Sequence, residues 1–358
     1  MKHLIKVLAG MAIVFTVSFA CSATFSQDDE KLVMENKPEH HTATGFQNHP
    51  FVETSAAKGV LFYMRRFWGS IFTPDVPDGH VLSESESIRM LNSVKGDSLT
   101  WLGHASFLIK ISGKTILTDP FLTEFASPVS WAGPRRFVKH GVPPDKLPSI
   151  DILLVSHNHY DHLDDETVRS LENKEKIHVI VPLGLKHFFS ERGYNNVTEL
   201  DWEESVSIDG VEFVSLPAVH DSARSTDDHD QTLWVSWAIM SSGNSIFFIG
   251  DSGYSDTIFS SIGKKYGSFD YAILPIGAYA PRELMWMSHV TPEEAVAIGN
   301  KIHANALIAS HWGTVSSLSD EPTWEPPRRF KEAGLNNGFS EDELWIMKIG
   351  ETRPLFKE

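Results

Sequence analysis

The seven residues 156–162, which include three histidines and an aspartate, constrain this chain more than any other stretch. They follow an aliphatic run that predicts a buried strand, and acidic residues typical of a helix start come after them. His157 and His159 are two positions apart, so they project from one side of extended backbone, and the next turn brings Asp161 and His162 to the same space. Imidazoles and a carboxylate without a thiolate are typical of a catalytic zinc site. The stretch therefore predicts a metal-binding turn between a strand and a helix.

Three further residues of metal-ligand type follow predicted strands far along the chain. His220 comes after the second strand of a hairpin, Asp251 follows a buried strand between two glycines, and His311 follows another apolar run. A carboxylate exposed after a strand can bind two ions, one through each oxygen, whereas the alternative interpretation of Asp251 is a simple turn residue. Because strand ends gather at one edge of a sheet, we expect these side chains to join the metal-binding turn.

Composition limits the possible partners. The chain has 358 residues, 41% of them hydrophobic, which is enough for a large core in one or two domains. Lys and Arg total 31 against 47 for Asp and Glu, a formal net charge of -16. Since no basic stretch offsets this charge, nucleic acid is excluded as a predicted partner. The single cysteine excludes an intrachain disulfide.

That cysteine, Cys21, ends a predicted export signal. Lys2 and Lys6 precede an apolar run, and the small residue Ala20 stands just before the cysteine. The segment over residues 1–21 resembles a bacterial lipoprotein signal, which predicts lipidation of Cys21 and anchoring at a membrane. Ordinary cleavage, giving a soluble secreted or periplasmic protein, and an uncleaved anchor are the alternatives.

The rest of the chain is predicted to form three regions. Residues 22–54 are polar and without periodicity, which is typical of a flexible tether. Residues 55–98 are predicted to be an N-terminal extension that packs on the core; an aromatic and arginine-rich segment at 60–68 is either a core helix or an interfacial element at a membrane. From residue 99 to 358, predicted strands alternate with helices, so this body is predicted to be an α/β domain.

Three residues in the early part of that body have competing interpretations. His104 follows Gly103 at a strand edge, where it is either a ligand or a structural hydrogen-bonding residue. Arg135 and Arg136 lie in a long proline-rich loop, where they either meet an anionic substrate or pair with surface carboxylates.

The ordered ligand series, from the turn at 156–162 through His220 and Asp251 to His311, resembles the metallo-β-lactamase superfamily. Within it the chain is more similar to N-acylphosphatidylethanolamine-hydrolysing phospholipase D. One departure follows His220, where Asp221 stands at a position expected to hold Trp. The resemblance runs from about residue 99 to the C-terminus and is carried by Trp101-Leu102-Gly103-His104-Ala105, Leu117-Thr118-Asp119-Pro120, Gly133-Pro134-Arg135-Arg136-Phe137, Glu199-Leu200-Asp201-Trp202, Pro275-Ile276-Gly277-Ala278-Tyr279, His289-Val290-Thr291-Pro292-Glu293 and His311-Trp312-Gly313-Thr314.

The resemblance implies an αββα sandwich that holds two zinc ions. One ion would be held by three histidines, the other by an aspartate and two histidines, and a second aspartate would bridge them. In that order the implied ligands are His157, His159 and His220; Asp161, His162 and His311; and Asp251.

The resemblance also implies the reaction. Two close ions activate a water that cleaves the phosphodiester of an N-acylphosphatidylethanolamine-like phospholipid, giving an N-acylethanolamine and phosphatidic acid. Asp161, Asp251 and His289 are the predicted catalytic residues, although His289 alternatively only caps the following helix. Tyr160 joins the two loop arginines as a predicted substrate contact. Hydrolysis of another ester or lactone, and a non-catalytic lipid-binding lipoprotein, are the alternative functions.

Overall fold

The computed structural model describes residues 37–51 and 73–355. The chain divides into a unit Met1–Ala43 and a unit Thr44–Glu358, and every element below belongs to the second unit. The predicted export signal, the lipidation site Cys21 and the segment 60–68 lie outside the described residues. Among the residues that are described, no helix has both the length and the apolar character needed to cross a membrane.

Strands and helices alternate through the second unit, as the apolar runs of the sequence predict. The strands are β1 Ser98–Gly103, β2 Ser106–Ile111, β3 Lys114–Thr118, β4 Arg135–Arg136, β5 Ile152–Leu154, β6 His178–Pro182, β7 Asn196–Leu200, β8 Ser205–Ile208, β9 Val211–Leu216, β10 Ser236–Met240, β11 Ser245–Phe248, β12 Tyr271–Pro275, β13 Ala306–Ser310, β14 Val315–Ser316, β15 Leu344–Trp345 and β16 Thr352–Pro354. The α-helices are α1 Glu84–Ser93, α2 Asp165–Ser170, α3 Lys186–Ser190, α4 Asp256–Tyr266, α5 Arg282–Met285, α6 Pro292–Lys301 and α7 Pro326–Asn336.

The strands form two large sheets of seven strands each within the described part of the chain. The first has the order β16-β1-β2-β3-β5-β6-β7, and the second has the order β15-β13-β12-β11-β10-β9-β8. β3, β5, β6 and β7 run parallel, as do β11, β12, β13 and β15, while the remaining neighbours within each sheet are antiparallel. Strands that run in the same direction end at the same edge of a sheet. The candidate ligands lie in the loops that follow those ends.

The two sheets face each other across one hydrophobic core, with helices on both outer faces. Trp101 and Phe107 of the first sheet and Trp237 and Phe247 of the second belong to the same buried cluster. Successive side chains of a strand alternate between its two faces, so these residues lie on the faces that meet. A second cluster lies behind the first sheet and includes residues of α2 and α3, whereas α4, α6 and α7 pack behind the second sheet. The architecture is the αββα sandwich that the family resemblance implies.

Local sequence explains the helix that follows the candidate residue His289. Thr291 accepts from the backbone N–H of Glu294, and the Glu294 carboxylate accepts from the backbone N–H of Thr291, which is a capping box. Pro292 occupies the first turn, where its missing N–H costs nothing. This cap fixes where α6 begins, directly after the loop that carries His289.

The second unit begins earlier than the predicted tether allows. Asn48 is buried, and the backbone N–H of Phe46 donates to the carbonyl of Asp230 at 2.8 Å. Residues 45–48 therefore pack on the body of the second unit instead of belonging to a tether that runs to residue 54, because a buried amide and backbone pairing fix them in place. Of the predicted extension 55–98, residues 73–98 are described, and Leu91 of α1 packs in the cluster behind the first sheet.

Candidate metal centre

Three histidines bring ring nitrogens together at the edge of the sandwich, and we call them the imidazole cluster: His157, His159 and His220. Nε2 of His157 lies 3.0 Å from Nδ1 of His159, and Nε2 of His220 lies 3.2 Å from each of those two atoms. His157 and His159 come from the turn after β5, whereas His220 comes from the loop after β9. The sheets thus assemble this group from distant parts of the sequence.

Four other side chains form a second group next to it, which we call the carboxylate cluster: Asp161, His162, Asp251 and His311. Oδ2 of Asp251 lies 3.1 Å from Nε2 of both His162 and His311. Oδ2 of Asp161 lies 3.6 Å from Nε2 of His311 and 3.8 Å from that of His162. The rings of His157 and His162 are 4.2 Å apart between centroids, so the two clusters are adjacent.

A close backbone approach makes this adjacency possible. Gly250 precedes Asp251 with a φ of 65°, and a Cβ added there would lie 2.4 Å from the side chain of Ser156. Only glycine accommodates both the left-handed backbone and this contact. The glycine before Asp251 therefore lets the end of β11 lie against the metal-binding turn.

Hydrogen bonds fix which nitrogen of His157 carries its proton. The hydroxyl of Ser156 donates to Oδ2 of Asp119 at 2.6 Å, so its oxygen accepts from Nδ1 of His157 at 2.9 Å. Nε2 of His157 is left without a proton and faces the rest of its cluster. Orientation of a ring by its second nitrogen is typical of metal-binding histidines.

A second member of the imidazole cluster is oriented in the same way. Nδ1 of His220 donates to the backbone carbonyl of Ser288 at 3.0 Å, so the nitrogen of His220 that faces the cluster is the unprotonated one. Nε2 of His159 lies 3.7 Å from Oδ2 of Asp221, which is too long for a hydrogen bond. The lone pairs of His157 and His220 that converge in this cluster repel one another, and a cation bound there would remove that repulsion.

The ionisation of the two clusters differs. Burial lowers the pKa of His157 well below its usual value and that of His220 to about 4, so these imidazoles are neutral, the form that binds a metal. Burial also opposes charge on His311, but Asp251 and Asp161 outweigh it and raise the pKa of His311 to about 9. In return, nearby imidazoles outweigh burial and hold the pKa of both carboxyls well below the usual range.

Buried atoms without hydrogen-bond partners show that the donor set fits a metal. In the carboxylate cluster, Nε2 of His162, Nε2 of His311 and Oδ1 of Asp251 are buried and make no hydrogen bond. Leaving such atoms unpaired is costly, and a bound cation would satisfy them. Together with the convergent lone pairs of the imidazole cluster, these atoms indicate a divalent metal site made of nitrogen and carboxylate oxygen.

Sequence reasoning assigned no role to Asp119, which the structure places directly behind the carboxylate cluster. Its Oδ2 lies 2.6 Å from Nδ1 of His162, and its Oδ1 accepts from the backbone N–H of Ser156 at 2.7 Å. The residue follows β3, the parallel neighbour of β5. Its position at the end of a predicted strand, like that of the candidate ligands, is the signal that would have identified it.

His104 is a hydrogen-bonding residue of the site, as the second of its two interpretations predicts. Its Nε2 lies 2.9 Å from Oδ2 of Asp161, and its backbone carbonyl accepts from the N–H of His311 at 3.0 Å. The nitrogen is close enough to the carboxylate cluster to count as a donor to a metal, but the hydrogen bond to Asp161 already occupies it. His104 therefore acts on the site through Asp161.

The two clusters open onto a cleft of about 430 Å³. Its walls are largely apolar, and neither Lys nor Arg occurs among the described residues that line it. The lining residues outside the clusters are Ala126, Gly133, Pro134, Tyr160, Asp221, Ala278, Leu284, Met285, Ser288, His289 and Leu318.

One of the three predicted substrate contacts, Tyr160, lines this cleft, and the two arginines lie elsewhere. Tyr160 lines the cleft with its ring, while its hydroxyl donates to the carbonyl of Arg224 at 2.9 Å. Arg135 pairs with Glu124, as the surface-pairing interpretation predicts. Arg136 is buried and donates to the carbonyl of Phe121 at 2.7 Å, so its partner is backbone and not a surface carboxylate. Neither arginine is among the residues that line the cleft.

His289 lines the cleft beside Asp251. Its Nδ1 lies 3.6 Å from Oδ2 of Asp251, and that nitrogen is buried without a hydrogen-bond partner. Burial lowers the pKa of His289 well below its usual value, against the pull of Asp251. The helix cap that follows is made by Thr291 and Glu294, so the side chain of His289 is not the cap.

Comparison with known proteins identifies the family. Residues 114–312 match the family model described as a beta-lactamase superfamily domain. The chain belongs to the metallo-β-lactamase superfamily. It is 40% identical over 256 residues to N-acyl-phosphatidylethanolamine-hydrolyzing phospholipase D 1 of Caenorhabditis elegans, a match that covers 67% of this chain and 70% of the relative.

One further relative and one solved structure extend the comparison. It is 34% identical over 259 residues to the mitochondrial N-acyl-phosphatidylethanolamine-hydrolyzing phospholipase D of Saccharomyces cerevisiae, covering 71% of this chain but 55% of that one. A metallo hydrolase of Ignicoccus hospitalis shares the fold with a TM-score of 0.54 at 19% identity, over 72% of this chain and 97% of that one. The protein is a metal-dependent hydrolase in the N-acylphosphatidylethanolamine phospholipase D-like branch of the superfamily.

Proposed function

We propose that this hydrolase cleaves the phosphodiester bond of N-acylphosphatidylethanolamine-like phospholipids, releasing an N-acylethanolamine and phosphatidic acid. The observation that carries the proposal is a double donor set at the base of a cleft with apolar walls. The named activity of the relatives in worm and yeast supports the same substrate class. A long-chain lipid suits such walls because its acyl groups need apolar surface beside the reacting phosphate.

In this proposal each cluster would hold one zinc ion, and Asp251 would contribute to both sites. When bound, such ions lower the pKa of water and stabilise negative charge on phosphoryl oxygens. Asp161 and Asp251 supply the negative charge that holds the ions, and their hydrogen-bond and charge partners keep them ionised at neutral pH. No Lys or Arg among the described lining residues competes for the phosphate, so the ions would take its charge.

His289 has a role of its own in the proposed reaction. Its unpaired Nδ1 lies 3.6 Å from Oδ2 of Asp251, and the residue lines the cleft that would take the substrate. There it would position the substrate or deliver a proton to the leaving alcohol oxygen, which needs one when the phosphorus–oxygen bond breaks. Tyr160, which lines the same cleft, would contact the headgroup.

The rim of the cleft supports a lipid surface as the place of reaction. Trp131 is 70% exposed and lies two residues before the lining residue Gly133, while Trp286 is 46% exposed and directly follows Met285 of the lining. Exposed tryptophans beside an apolar cleft suit the boundary between headgroups and acyl chains. Export through residues 1–21 and anchoring through Cys21 would place the enzyme at such a surface, and both belong to the proposal.

Hydrolysis of a carboxylic ester or lactone is the second candidate. It is favoured by the lack of any described Lys or Arg in the lining, since a neutral substrate needs no such partner. The same ions would activate water against a carbonyl carbon as well as against phosphorus.

The test is hydrolysis of N-acylphosphatidylethanolamine in mixed micelles by the zinc-loaded full chain in water labelled with oxygen-18. Attack at phosphorus puts the label into phosphatidic acid and leaves the N-acylethanolamine unlabelled, as mass spectrometry would show. Label in a released fatty acid would instead establish the ester hydrolase. Asp251→Asn is the control for contaminating activity. A folded, zinc-loaded wild type that cleaves neither bond would refute the first candidate, and a panel of carboxylic esters and lactones would then test the second.

A further inference from the structure

A short arm, residues 45–48, lies against the loop that carries His220. The arm approaches that loop so closely that a Cβ at Gly45 would lie 2.0 Å from the carbonyl oxygen of Asp230. The backbone N–H of Phe46 donates to the same carbonyl at 2.8 Å, and the Phe46 side chain packs against the main core. The arm is therefore a packed part of the second unit.

Asn48 of this arm pairs with both backbone groups of His220. Its Nδ2 donates to the His220 carbonyl at 2.8 Å, and its Oδ1 accepts from the His220 N–H at 3.0 Å. Nε1 of Trp234 donates to the same Oδ1 at 3.1 Å. Asn48 is 7% exposed, so these bonds are shielded from competing water.

Asn48 supplies the backbone hydrogen bonds that a neighbouring strand would otherwise make to His220. β9 ends at Leu216, and His220 lies beyond it in irregular backbone. A buried N–H and C=O without partners would be costly, and a mobile peptide there would move the ring. The ring is already held through Nδ1 by the carbonyl of Ser288, so Asn48 fixes the backbone end of a side chain whose far end points into the imidazole cluster.

We propose that Asn48 is a positioning residue of the metal centre, and that the arm is a component of the imidazole cluster's ion site. The proposal rests on the metal site of the proposed function. It concerns a residue that lies before residue 114, where the family match begins. Because Asn48 fixes His220 and not the carboxylate cluster, its loss weakens one ion site and leaves the other.

Coupling of this kind acts in both directions. If the docked arm strengthens ion binding by some factor, the bound ion stabilises the docked arm by the same factor. Zinc binding to the imidazole cluster should therefore slow hydrogen exchange of the Phe46 amide, even though that amide contacts no proposed ligand.

The experiment is zinc titration of the full chain against a competing chelator, for wild type, Asn48→Ala and a matched control, Asn244→Ala. Asn244 is also buried and donates to Oδ2 of Asp97 at 2.8 Å, but it lies in the turn between β10 and β11, at the end of β11 remote from Asp251. For Asn48→Ala we expect one of two zinc ions to bind about 10- to 100-fold more weakly, the range for residues that orient a ligand. For Asn244→Ala we expect two ions with wild-type affinity.

Two further variants keep the test decisive if Asn48→Ala does not fold. Asn48→Asp retains the acceptor for the His220 N–H but turns the donor into an oxygen that faces the His220 carbonyl, so it should weaken the same ion at least as much as Asn48→Ala. Gly45→Val should displace the arm through its clash with Asp230 and reproduce the Asn48→Ala result with Asn48 intact.

Equal chelator curves for wild type and folded Asn48 variants would overturn the proposal while leaving the proposed function standing. A wild type that binds no zinc would overturn both. Equal weakening of both ions, in either Asn48 variant, would contradict the assignment of Asn48 to one cluster.

Discussion

The imidazole cluster and the carboxylate cluster are neighbours that are built from different chemistry. The first offers three nitrogens and no carboxylate, and its residues are oriented by a serine hydroxyl, a backbone carbonyl and a partly exposed aspartate. The second includes two carboxylates and is supported by Asp119, a fully buried aspartate in direct contact with His162. A cation gains more from the second set, because charge interactions are strongest between buried groups. The comparison indicates that the carboxylate cluster is the tighter site and the one that tolerates least change.

Removing the shared carboxylate should have the largest effect. Asp251→Asn keeps the size of the side chain but removes the charge that lies 3.1 Å from both His162 and His311. We expect kcat/KM to fall about a thousandfold or more, corresponding to several kcal/mol of lost charge stabilisation. Metal analysis should show loss of at least one ion per chain. Activity within tenfold of wild type would show that the carboxylate cluster does not need this residue.

The buried support of the carboxylate cluster comes next. Asp119→Asn leaves His162 in place but weakens the 2.6 Å contact that orients its ring. We expect about 10- to 100-fold weaker binding of the carboxylate cluster's ion, as is typical when the partner of a ligand histidine is changed. A smaller loss should appear at the imidazole cluster, because Oδ2 of Asp119 also accepts from Ser156, which orients His157. Chelator competition measures this, with unchanged near-ultraviolet circular dichroism as the folding control. A loss confined to the imidazole cluster's ion would reverse our assignment of Asp119.

The histidine that acts through Asp161 should give a smaller effect. Asn tolerates the left-handed φ of 55° at position 104, so His104→Asn keeps the backbone and removes the 2.9 Å contact with Asp161. A hydrogen bond to a charged group contributes about 1.5 kcal/mol at the low end, which corresponds to about tenfold in ion affinity. Isothermal titration with zinc is the measurement. Loss of the ion altogether would mean that His104 is itself a ligand.

The partly exposed support of the imidazole cluster should matter least. Oδ2 of Asp221 is 3.7 Å from His159, and its side chain is 27% exposed, so solvent screens the contact. We expect Asp221→Asn to weaken ion binding by less than about fivefold, in line with the small contribution of exposed ion pairs. The same chelator competition used for Asp119→Asn allows direct comparison. An effect as large as that of Asp119→Asn would show that exposure does not distinguish the two aspartates.

Much of the fold could be predicted because its signals are local. The aliphatic runs of β5, β12 and β13 identify buried strands, and Thr291, Pro292 and Glu294 identify the start of α6. The candidate ligands were found for the same reason, since each follows a strand. Convergence could then be expected because parallel strands end at one edge.

What was missed depends on contacts between distant residues. Asn48 lies in a polar segment without periodicity, and its partner is 172 positions away, so nothing local distinguishes it from a tether residue. Arg136 carries a charge that favours a surface position, yet the fold surrounds it with backbone carbonyls such as that of Phe121. A sequence pattern shows which residues carry ligand chemistry more readily than it shows which residues hold them in place.

Both clusters take donors from both sheets. The turn after β5 belongs to the first sheet, while His220, Asp251 and His311 follow strands of the second. Ions bound there would cross-link the two sheets of the sandwich. Each ion would then slow the separation of the sheets, and a chelator would speed unfolding without touching the hydrophobic core. The lifetime of the folded protein would in that case be set by the zinc concentration around it as well as by its own packing.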